Sequence, residues 1–475
     1  MVNEKTQRYI YVISDLLTTA LAWFTFNSIR FHDIIKVNQL YNLSFSEFLT
    51  IKNVWLGQLL YPLMMLGLYF LSGYYNKVFI KSRVEELTNT IVTAIIGTLL
   101  IYFIAIVDDP IPDRQSNYTL LLMLFLLMFA FVYLGRITIT NRTNTRIARG
   151  QLRFNVLIVG TSKEATTLKR KLQDDVNMRS LAYNVVGYVA TTTNSSTRAL
   201  DLPVYQLSEL PKICTELNIS NLIMASKRNE THPTLELVYQ LFPLNLPVLI
   251  SPTLYELLTT KPKINRLIAE PLIDITHANM SESTANLKRA GDAVVSAITL
   301  ILLLPIFVCI ALAIKCSSKG KVIYSQERIG LRNRPFKIYK FRTMVNDAEV
   351  EGPSLSSAND PRITPVGRFL RKYRLDELPQ FWNVLIGDMS IIGPRPERAF
   401  YINQIVEKAP YYMLLHQVRP GITSLGMVKH GYASNVNEMI DRLQYDLIYI
   451  ENISLTVDLK ILAYTVSTVL KGKGV

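Results

Sequence analysis

Apolar positions come in long blocks at the start of this chain and in short bursts further along. The blocks Tyr9–Ile29, Val54–Ser72, Thr88–Val107 and Tyr118–Leu134 each approach the ~20 residues that cross a hydrocarbon core. They predict a four-helix transmembrane bundle within residues 1–150. From residue 151 the pattern shortens. Phe154-Asn-Val-Leu-Ile-Val-Gly160 reads as a buried strand stopped by glycine, Thr161–Leu172 as a helix, and Tyr183–Val189, Leu222–Ala225 and Val248–Ile250 as further strands. Strand, glycine and helix open a Rossmann-like α/β unit, here 151–258. The dinucleotide fingerprint needs two more glycines, and the chain has Gly160-Thr-Ser-Lys-Glu-Ala165 instead. A regulatory or dimerising module is therefore the better reading of this unit.

A linker over 259–287 leads into a last unit, 288–475, whose first feature is the apolar segment 293–314. Lys288 and Arg289 precede it, and Lys315, Lys319 and Lys321 follow. Basic flanks at both ends favour keeping both on one side of a membrane. Pro305, near the centre, removes a backbone hydrogen bond and kinks the helix. A re-entrant helix that enters one leaflet, bends and returns satisfies both features; a kinked transmembrane helix is the alternative. Beyond it, Val322–Arg328 and Phe336–Phe341 predict extended segments, and Val366–Arg374 a helix. Ile453–Leu470 reads either as an amphipathic helix on a membrane surface or as a core helix.

Composition sharpens this picture. Hydrophobic residues make up 49% of the chain and charged ones 19%, and the mean hydropathy of +0.21 leans toward a bilayer. The formal net charge of +14 suits an anionic membrane face or phosphorylated substrates. Nucleic acid is not an expected partner, since no helix-turn-helix or zinc-finger pattern occurs. Cys214, Cys309 and Cys316 form neither a CxxC pair nor a disulfide framework. No cleavable signal peptide is expected. Lys77, Lys81 and Arg83 lie between the second and third spans, and Arg136, Arg142, Arg146, Arg149 and Arg153 follow the fourth. Asp108, Asp109 and Asp113 lie between the third and fourth. The positive-inside rule then places the N-terminus and everything after residue 135 in the cytoplasm, with Lys36 and Lys52 as a mild conflict. Asp15, within the first span, is either functional or an acid facing neighbouring helices.

The candidate chemistry centres on Asp376 and Glu377, in the run Arg371-Lys-Tyr-Arg-Leu-Asp-Glu-Leu-Pro-Gln380. Pro379 is tolerated in a first helical turn, which makes Asp376 a candidate N-cap close to free backbone N–H groups. That placement favours an ionised carboxylate and a transferring phosphoryl group alike. Upstream, Lys340, Arg342 and Thr343 offer two cations and a hydroxyl to a pyrophosphate; downstream, Arg395 lies between two prolines. Taken alone, the acids could be a cap and a first-turn residue and the cations a solvated surface.

The motifs Lys340-Phe-Arg-Thr-Met344, Leu375-Asp-Glu-Leu-Pro-Gln380, Asn383-Val-Leu-Ile-Gly-Asp-Met-Ser390, Gly393-Pro-Arg-Pro396 and Val418-Arg-Pro-Gly-Ile-Thr423 occur in this order. Together they resemble the bacterial sugar transferase family, the polyprenyl-phosphate hexose-1-phosphate transferases that start exopolysaccharide and O-antigen synthesis. The motif match covers residues 288–475, and the bundle and middle unit look like the large multidomain members. The fold class this implies is an α+β membrane protein ending in a monotopic catalytic domain with a re-entrant helix.

The resemblance implies that Asp376 attacks the β-phosphate of a UDP-sugar, forming an aspartyl phosphosugar and releasing UMP. Glu377 would assist the lipid phosphate that attacks next. Mg²⁺ held by Asp376 would neutralise the pyrophosphate. Arg371 would meet the lipid phosphate, and Lys340, Arg342, Arg395 and Arg419 would contact phosphates. UDP-glucose or UDP-galactose is the expected donor and undecaprenyl phosphate the acceptor. The expected site is the cytoplasmic face of a bacterial inner membrane, and a homodimer is compatible with the organisation. One departure stands out: the family's re-entrant helix commonly breaks at Ser-Pro, where this chain has Leu304-Pro305. Two other classes are weaker. A membrane-anchored nucleotide-sugar dehydratase or epimerase needs the full glycine fingerprint and a Tyr-x-x-x-Lys pair, neither present between 154 and 250. A non-catalytic export scaffold has no need of clustered acids and arginines.

Overall fold

The computed structural model describes residues 4–32, 44–79, 81, 83–106, 114–174, 182–191, 200–225, 232–250, 272–276, 280–345, 352, 360–431, 433 and 435–470. Lys36, Asp108, Asp109, Asp113 and most of the expected linker lie outside them. Helices α1 (Glu4–Arg30), α2 (Lys52–Leu71), α3 (Arg83–Ile101) and α4 (Arg114–Ala148) form the N-terminal bundle. All four are long and apolar enough to cross a membrane. On α1 the residues Tyr9, Ile13, Leu17 and Leu21 form an exposed stripe, while Tyr11, Ala22, Trp23 and Phe26 are buried. A helix apolar on both its packed and its outward face is what lipid, not water, accommodates.

Helix α4 runs on well past Leu134, to Ala148, and brings a buried charge into the bundle just beyond that point. Arg136, counted above as a loop cation, is fully buried and donates to both oxygens of Asp15, at 3.0 and 2.8 Å. Its guanidinium sits 4.2 Å from the Tyr69 ring centre and 3.7 Å from that of Tyr74, and it also donates to Thr90. Tyr75 donates to Asp15 at 2.8 Å. A buried acid is costly without a partner, and α4 supplies one. Lys81 is likewise buried, over the rings of Tyr11 and Tyr74. Neither cation is therefore a free loop charge of the kind the positive-inside reading counted, whereas Asp15 does face its neighbours.

The middle unit is a six-stranded sheet in the order β3-β2-β1-β4-β5-β6. Its strands are β1 (Phe154–Val159), β2 (Tyr183–Ala190), β3 (Val204–Gln206), β4 (Ile219–Met224), β5 (Val248–Ile250) and β6 (Ile273–Asp274), and only the last is antiparallel. Along β1, Val156 and Ile158 pack against α5 (Lys163–Asp174) through Ala165, Leu168 and Leu172. Leu157 and Val159 turn to the opposite face, against Leu210 of α6 (Leu210–Glu216) and Val238 and Leu241 of α7 (His232–Leu241). Burial on both faces explains why β1 reads as a continuous apolar run. Strand β3, Val-Tyr-Gln, is half-exposed and β6 has two residues, so neither leaves the apolar run that marks the equally short but buried β5.

The last unit opens on α8 (Glu282–Leu302), capped by Ser281, and α9 (Leu304–Ser317), which meet at 61°. The helix starts inside the predicted linker because Ser281 accepts the Thr284 N–H at 3.1 Å. The break falls at Leu303, ahead of Pro305, which occupies the first turn of α9 where its missing N–H leaves no bond unmade. Next come the hairpin β7 (Ile323–Ile329) and β8 (Pro335–Phe341), α10 (Pro365–Lys372) and α11 (Gln380–Ile386). Strand β9 (Ser390–Ile392) pairs in parallel with β10 (Gly421–Thr423), which follows α12 (Ala399–Lys408). Helices α13 (Leu425–Lys429), α14 (Val436–Glu451) and α15 (Leu455–Leu470) close the unit. Helix α15 combines both readings of the tail: Ile461 is buried in the core, whereas Leu459 and Tyr464 are exposed.

Removing one member of a buried ion pair typically costs about 3–5 kcal/mol. Asp15→Asn and Arg136→Met are each expected to lower thermal stability of the detergent-solubilised chain by about that amount. Replacing both together with apolar residues should recover much of the loss. Unchanged melting of both single variants would show that the pair contributes nothing.

Candidate active site

The acid pair sits where three local devices converge. Helix α10 starts at Thr364, whose side chain accepts the Gly367 N–H at 3.0 Å. Gly367 lies so close to the strand end that a β-carbon there would be 2.0 Å from the Thr343 carbonyl oxygen. The chain leaves α10 through Arg374, in the left-handed region at φ 52°, and turns immediately into a single 3₁₀ turn, Leu375–Glu377. Asp376 is in the middle of that turn, not at a helix N-cap as the sequence suggests. Pro379 has no N–H to continue a helical ladder, so α11 begins after it and Pro379 takes the cap position. Leu375 and Leu378, either side of the acids, pack with Ile310 and Ile314 of α9, Phe341 and Leu370. The acid turn is thus seated on the second half of the bent apolar helix.

Both carboxylates are buried, and their surroundings differ. Glu377 Oε1 accepts from Lys340 Nζ at 2.8 Å and from Arg395 Nη2 at 3.2 Å. Burial pushes Glu377 up, but Lys340 and Arg395 outweigh it and hold the carboxyl well below its ordinary range. Asp376, 9% exposed, accepts no hydrogen bond among the described residues. Burial first and the Glu377 charge second push it up to about 6, against the pull of Lys340, Arg371 and Arg395. One carboxylate is clamped and ionised; its neighbour feels the same cations without a hydrogen bond from the described residues.

The same chemistry tests the expected metal. Among the described residues no group of three or more His, Cys, Asp or Glu could hold an ion. Mg²⁺, however, is commonly bound by one or two carboxylates together with substrate phosphates and water. An unpartnered buried carboxyl at Asp376 fits that mode, because a cation there would relieve both its burial and its repulsion from Glu377.

The remaining expected residues divide. Lys340 on β8 and Arg395 reach Glu377 directly. Arg371 donates to Thr343 Oγ1 at 2.9 Å, so that hydroxyl orients an arginine beside the acids. Arg342 donates to the carbonyl oxygens of Ser318 and Lys319, tying the hairpin to the end of α9. Arg419 donates to the Gly387 carbonyl, and Arg289 to those of Val384 and Leu385, covering the C-terminal end of α11. Those bonds turn Arg342 and Arg419 to backbone, not to the carboxylates.

The comparison with known proteins follows the same outline. The bacterial sugar transferase model matches residues 283–472. The chain is 40% identical over 230 residues to the UDP-N-acetylgalactosamine-undecaprenyl-phosphate N-acetylgalactosaminephosphotransferase of Aeromonas hydrophila, covering 48% of this chain and 54% of that one. It is 32% identical over 358 residues to the UDP-glucose:undecaprenyl-phosphate glucose-1-phosphate transferase of Escherichia coli (strain K12), covering 74% and 76%. This chain belongs to the bacterial sugar transferase family. A Klebsiella pneumoniae relative with the same name as the E. coli protein is 35% identical over 274 residues, 57% of this chain and 59% of that one. The chain thus spans little more than half the length of two of these three relatives.

In this family member two supporting residues went without a role in the sequence. Glu397, buried, accepts from Arg328 on β7 at 3.0 Å and from Arg442 on α14 at 2.7 Å. That clamp fixes the Pro-Arg-Pro segment two residues before it. Asn383 accepts the Tyr339 N–H at 3.1 Å and donates to the Lys337 carbonyl at 2.7 Å, pinning α11 to β8. Its place one helical turn after Pro379, in a quoted motif, was the available signal; Glu397 had only its adjacency to Pro396.

A charge-assisted hydrogen bond contributes about 1.5–3 kcal/mol, so Arg395→Lys is expected to lower kcat/KM by about ten- to a hundredfold. Arg342→Lys should instead lower the melting temperature while leaving KM within about twofold, since it holds backbone. Steady-state kinetics and thermal unfolding on both variants check this; equal kinetic losses would erase the distinction.

Proposed function

We propose that the chain transfers a hexose 1-phosphate from a UDP-sugar to undecaprenyl phosphate and releases UMP. The observation that carries this reading is the Asp376 carboxyl, which accepts no hydrogen bond among the described residues and is buried beside an ionised, cation-clamped neighbour on a turn seated against an apolar bent helix. The names of the relatives support the general reaction.

In the first step an Asp376 carboxylate oxygen bonds to the β-phosphorus of the donor. The bond from that phosphorus to the bridging oxygen breaks, and the electron pair leaves with UMP. In the second step a phosphate oxygen of the lipid attacks the same phosphorus and the aspartyl oxygen departs, restoring Asp376. Lys340, Arg371 and Arg395 lie where they can offset phosphate charge as it develops. Glu377, held low by its two cations, is a weak proton acceptor. That supports a role in positioning Lys340 and Arg395 over one in deprotonating the lipid phosphate. Mg²⁺ held by Asp376 would neutralise the donor pyrophosphate and stabilise UMP as it leaves.

Several features support a single-sided arrangement of the bent pair α8–α9. Its flanks are basic at both ends. Its first turn meets the loop between α2 and α3, and the carbonyls just after its second helix are held by Arg342, which follows the strand that carries Lys340. A re-entrant helix in the inner leaflet, with the acids at the cytoplasmic face of a bacterial inner membrane, follows from this reading. There the step would begin assembly of a cell-surface polysaccharide.

Membranes containing the chain, incubated with undecaprenyl phosphate, Mg²⁺ and UDP-glucose, UDP-galactose or UDP-N-acetylgalactosamine, are expected to release UMP and not UDP from at least one donor. Asp376→Asn should reduce that release to background. UDP as product, or turnover by Asp376→Asn near that of the unaltered chain, would sink the reading.

A further inference from the structure

The loop between α2 and α3 does two things at once. It is anchored in the bundle, where Tyr74 donates to Glu86 at 2.5 Å and Tyr75 donates to Asp15 at 2.8 Å. It also receives the first turn of α8. Asn76 donates to Glu282 at 2.8 Å, Lys77 pairs with Glu282 at 3.2 Å, and Asn286 donates to the Phe70 carbonyl at 2.6 Å. Gly73, at φ 79°, comes so near that a β-carbon would be 2.6 Å from the Glu282 β-carbon. Only glycine gives both that backbone angle and that approach.

Helix α8 then carries this seat into the catalytic unit. One turn on, Lys288 pairs with Asp458 of α15 at 2.7 Å, and Arg289 holds the carbonyls at the end of α11. Further along, Asp292 accepts from Ser390 of β9 at 2.6 Å. Helix α11 follows directly on the acid turn. Among the described residues, the path from bundle to acids runs through packed helices and charge pairs.

We infer that the α2–α3 loop is an intramolecular docking surface for the first turn of α8, and that this seat sets how the catalytic unit meets its lipid substrate. The kinetic part of the inference rests on the proposed transferase reaction; the docking part does not. A seat fixed to membrane-spanning helices constrains depth and tilt at a lipid surface, which matters to an acceptor held there. A soluble nucleotide sugar approaches from water and is indifferent to that constraint.

The test uses the full chain in native membranes. With Cys214, Cys309 and Cys316 replaced by serine, the pair Asn76→Cys and Glu282→Cys is treated with a short bis-maleimide and the linked peptide is read by mass spectrometry. Asn76→Cys with Asn437→Cys, on α14, is the control. The docked pair is expected to cross-link well above the control. Lys77→Glu and Glu282→Lys, each alone, should raise KM for the lipid phosphate about three- to fivefold and leave that for the UDP-sugar unchanged. The double exchange should return the lipid KM toward its original value. Should an inserted charge prevent accumulation, Glu282→Gln is expected to raise the lipid KM about twofold. Cross-linking no better than the control, an unmoved lipid KM, or both KM values moving together would overturn the inference. If the unaltered chain releases no UMP from any donor, the transferase reading falls, and docking is judged by the cross-link.

Discussion

A single buried carboxylate shared by two cations organises the catalytic unit. Glu377 cannot be desolvated without partners, and the two it has come from distant parts of the chain. Lys340 arrives on the hairpin and Arg395 on the Pro-Arg-Pro segment, so satisfying one charge brings strand, turn and loop to one place. The cost falls on its neighbour. Asp376 shares the burial and feels the Glu377 charge, yet receives no hydrogen bond among the described residues. An acid in that state is available for chemistry that the clamped one cannot perform.

The wider unit reads as support for that arrangement. Glu397 ties the Arg395 segment to β7 and α14, and Asn383 ties α11 to β8. Leu375 and Leu378 press the turn onto α9, and a buried leucine is stabilised by about 1.5–3 kcal/mol relative to an exposed one. The alternation in Leu375-Asp-Glu-Leu378 is thus a division of labour. Its outer residues hold the turn against an apolar helix while its inner ones face cations.

How much of this was legible depended on whether a feature is periodic or relational. The four bundle helices and strand β1 announce themselves because lipid and two-sided burial impose long, uniform patterns. The two strands of the hairpin were readable as extended segments, at Val322–Arg328 and Phe336–Phe341. Strands β3 and β6 were not: β3 is a half-exposed Val-Tyr-Gln, unlike the equally short but fully buried Val-Leu-Ile of β5, and β6 is two residues long. At the site, Lys340 and Arg395 could be picked as cations near the acids, and they do meet Glu377. Arg342 and Arg419 carried the same signal and turn to backbone carbonyls instead, a choice made by tertiary packing that charge alone does not encode. The N-cap expected at Asp376 failed for a local reason. Arg374 takes a left-handed conformation, which closes a 3₁₀ turn before the helix can begin.

The pairing of Asp15 with Arg136 also bears on how the bundle comes into being. The acid is made with the first helix and the base with the last, so through most of synthesis neither has its counterpart. Until α4 emerges, the first helix carries an acid whose two-bond partner has not yet been made, with only Tyr75 and the charge of Lys81 available to it. The seat that Tyr69 and Tyr74 form for the guanidinium can be filled only once the final helix exists. The N-terminal unit is in this sense assembled from its two ends inward, and it becomes a finished platform only after the segment that leads into the rest of the chain has been made.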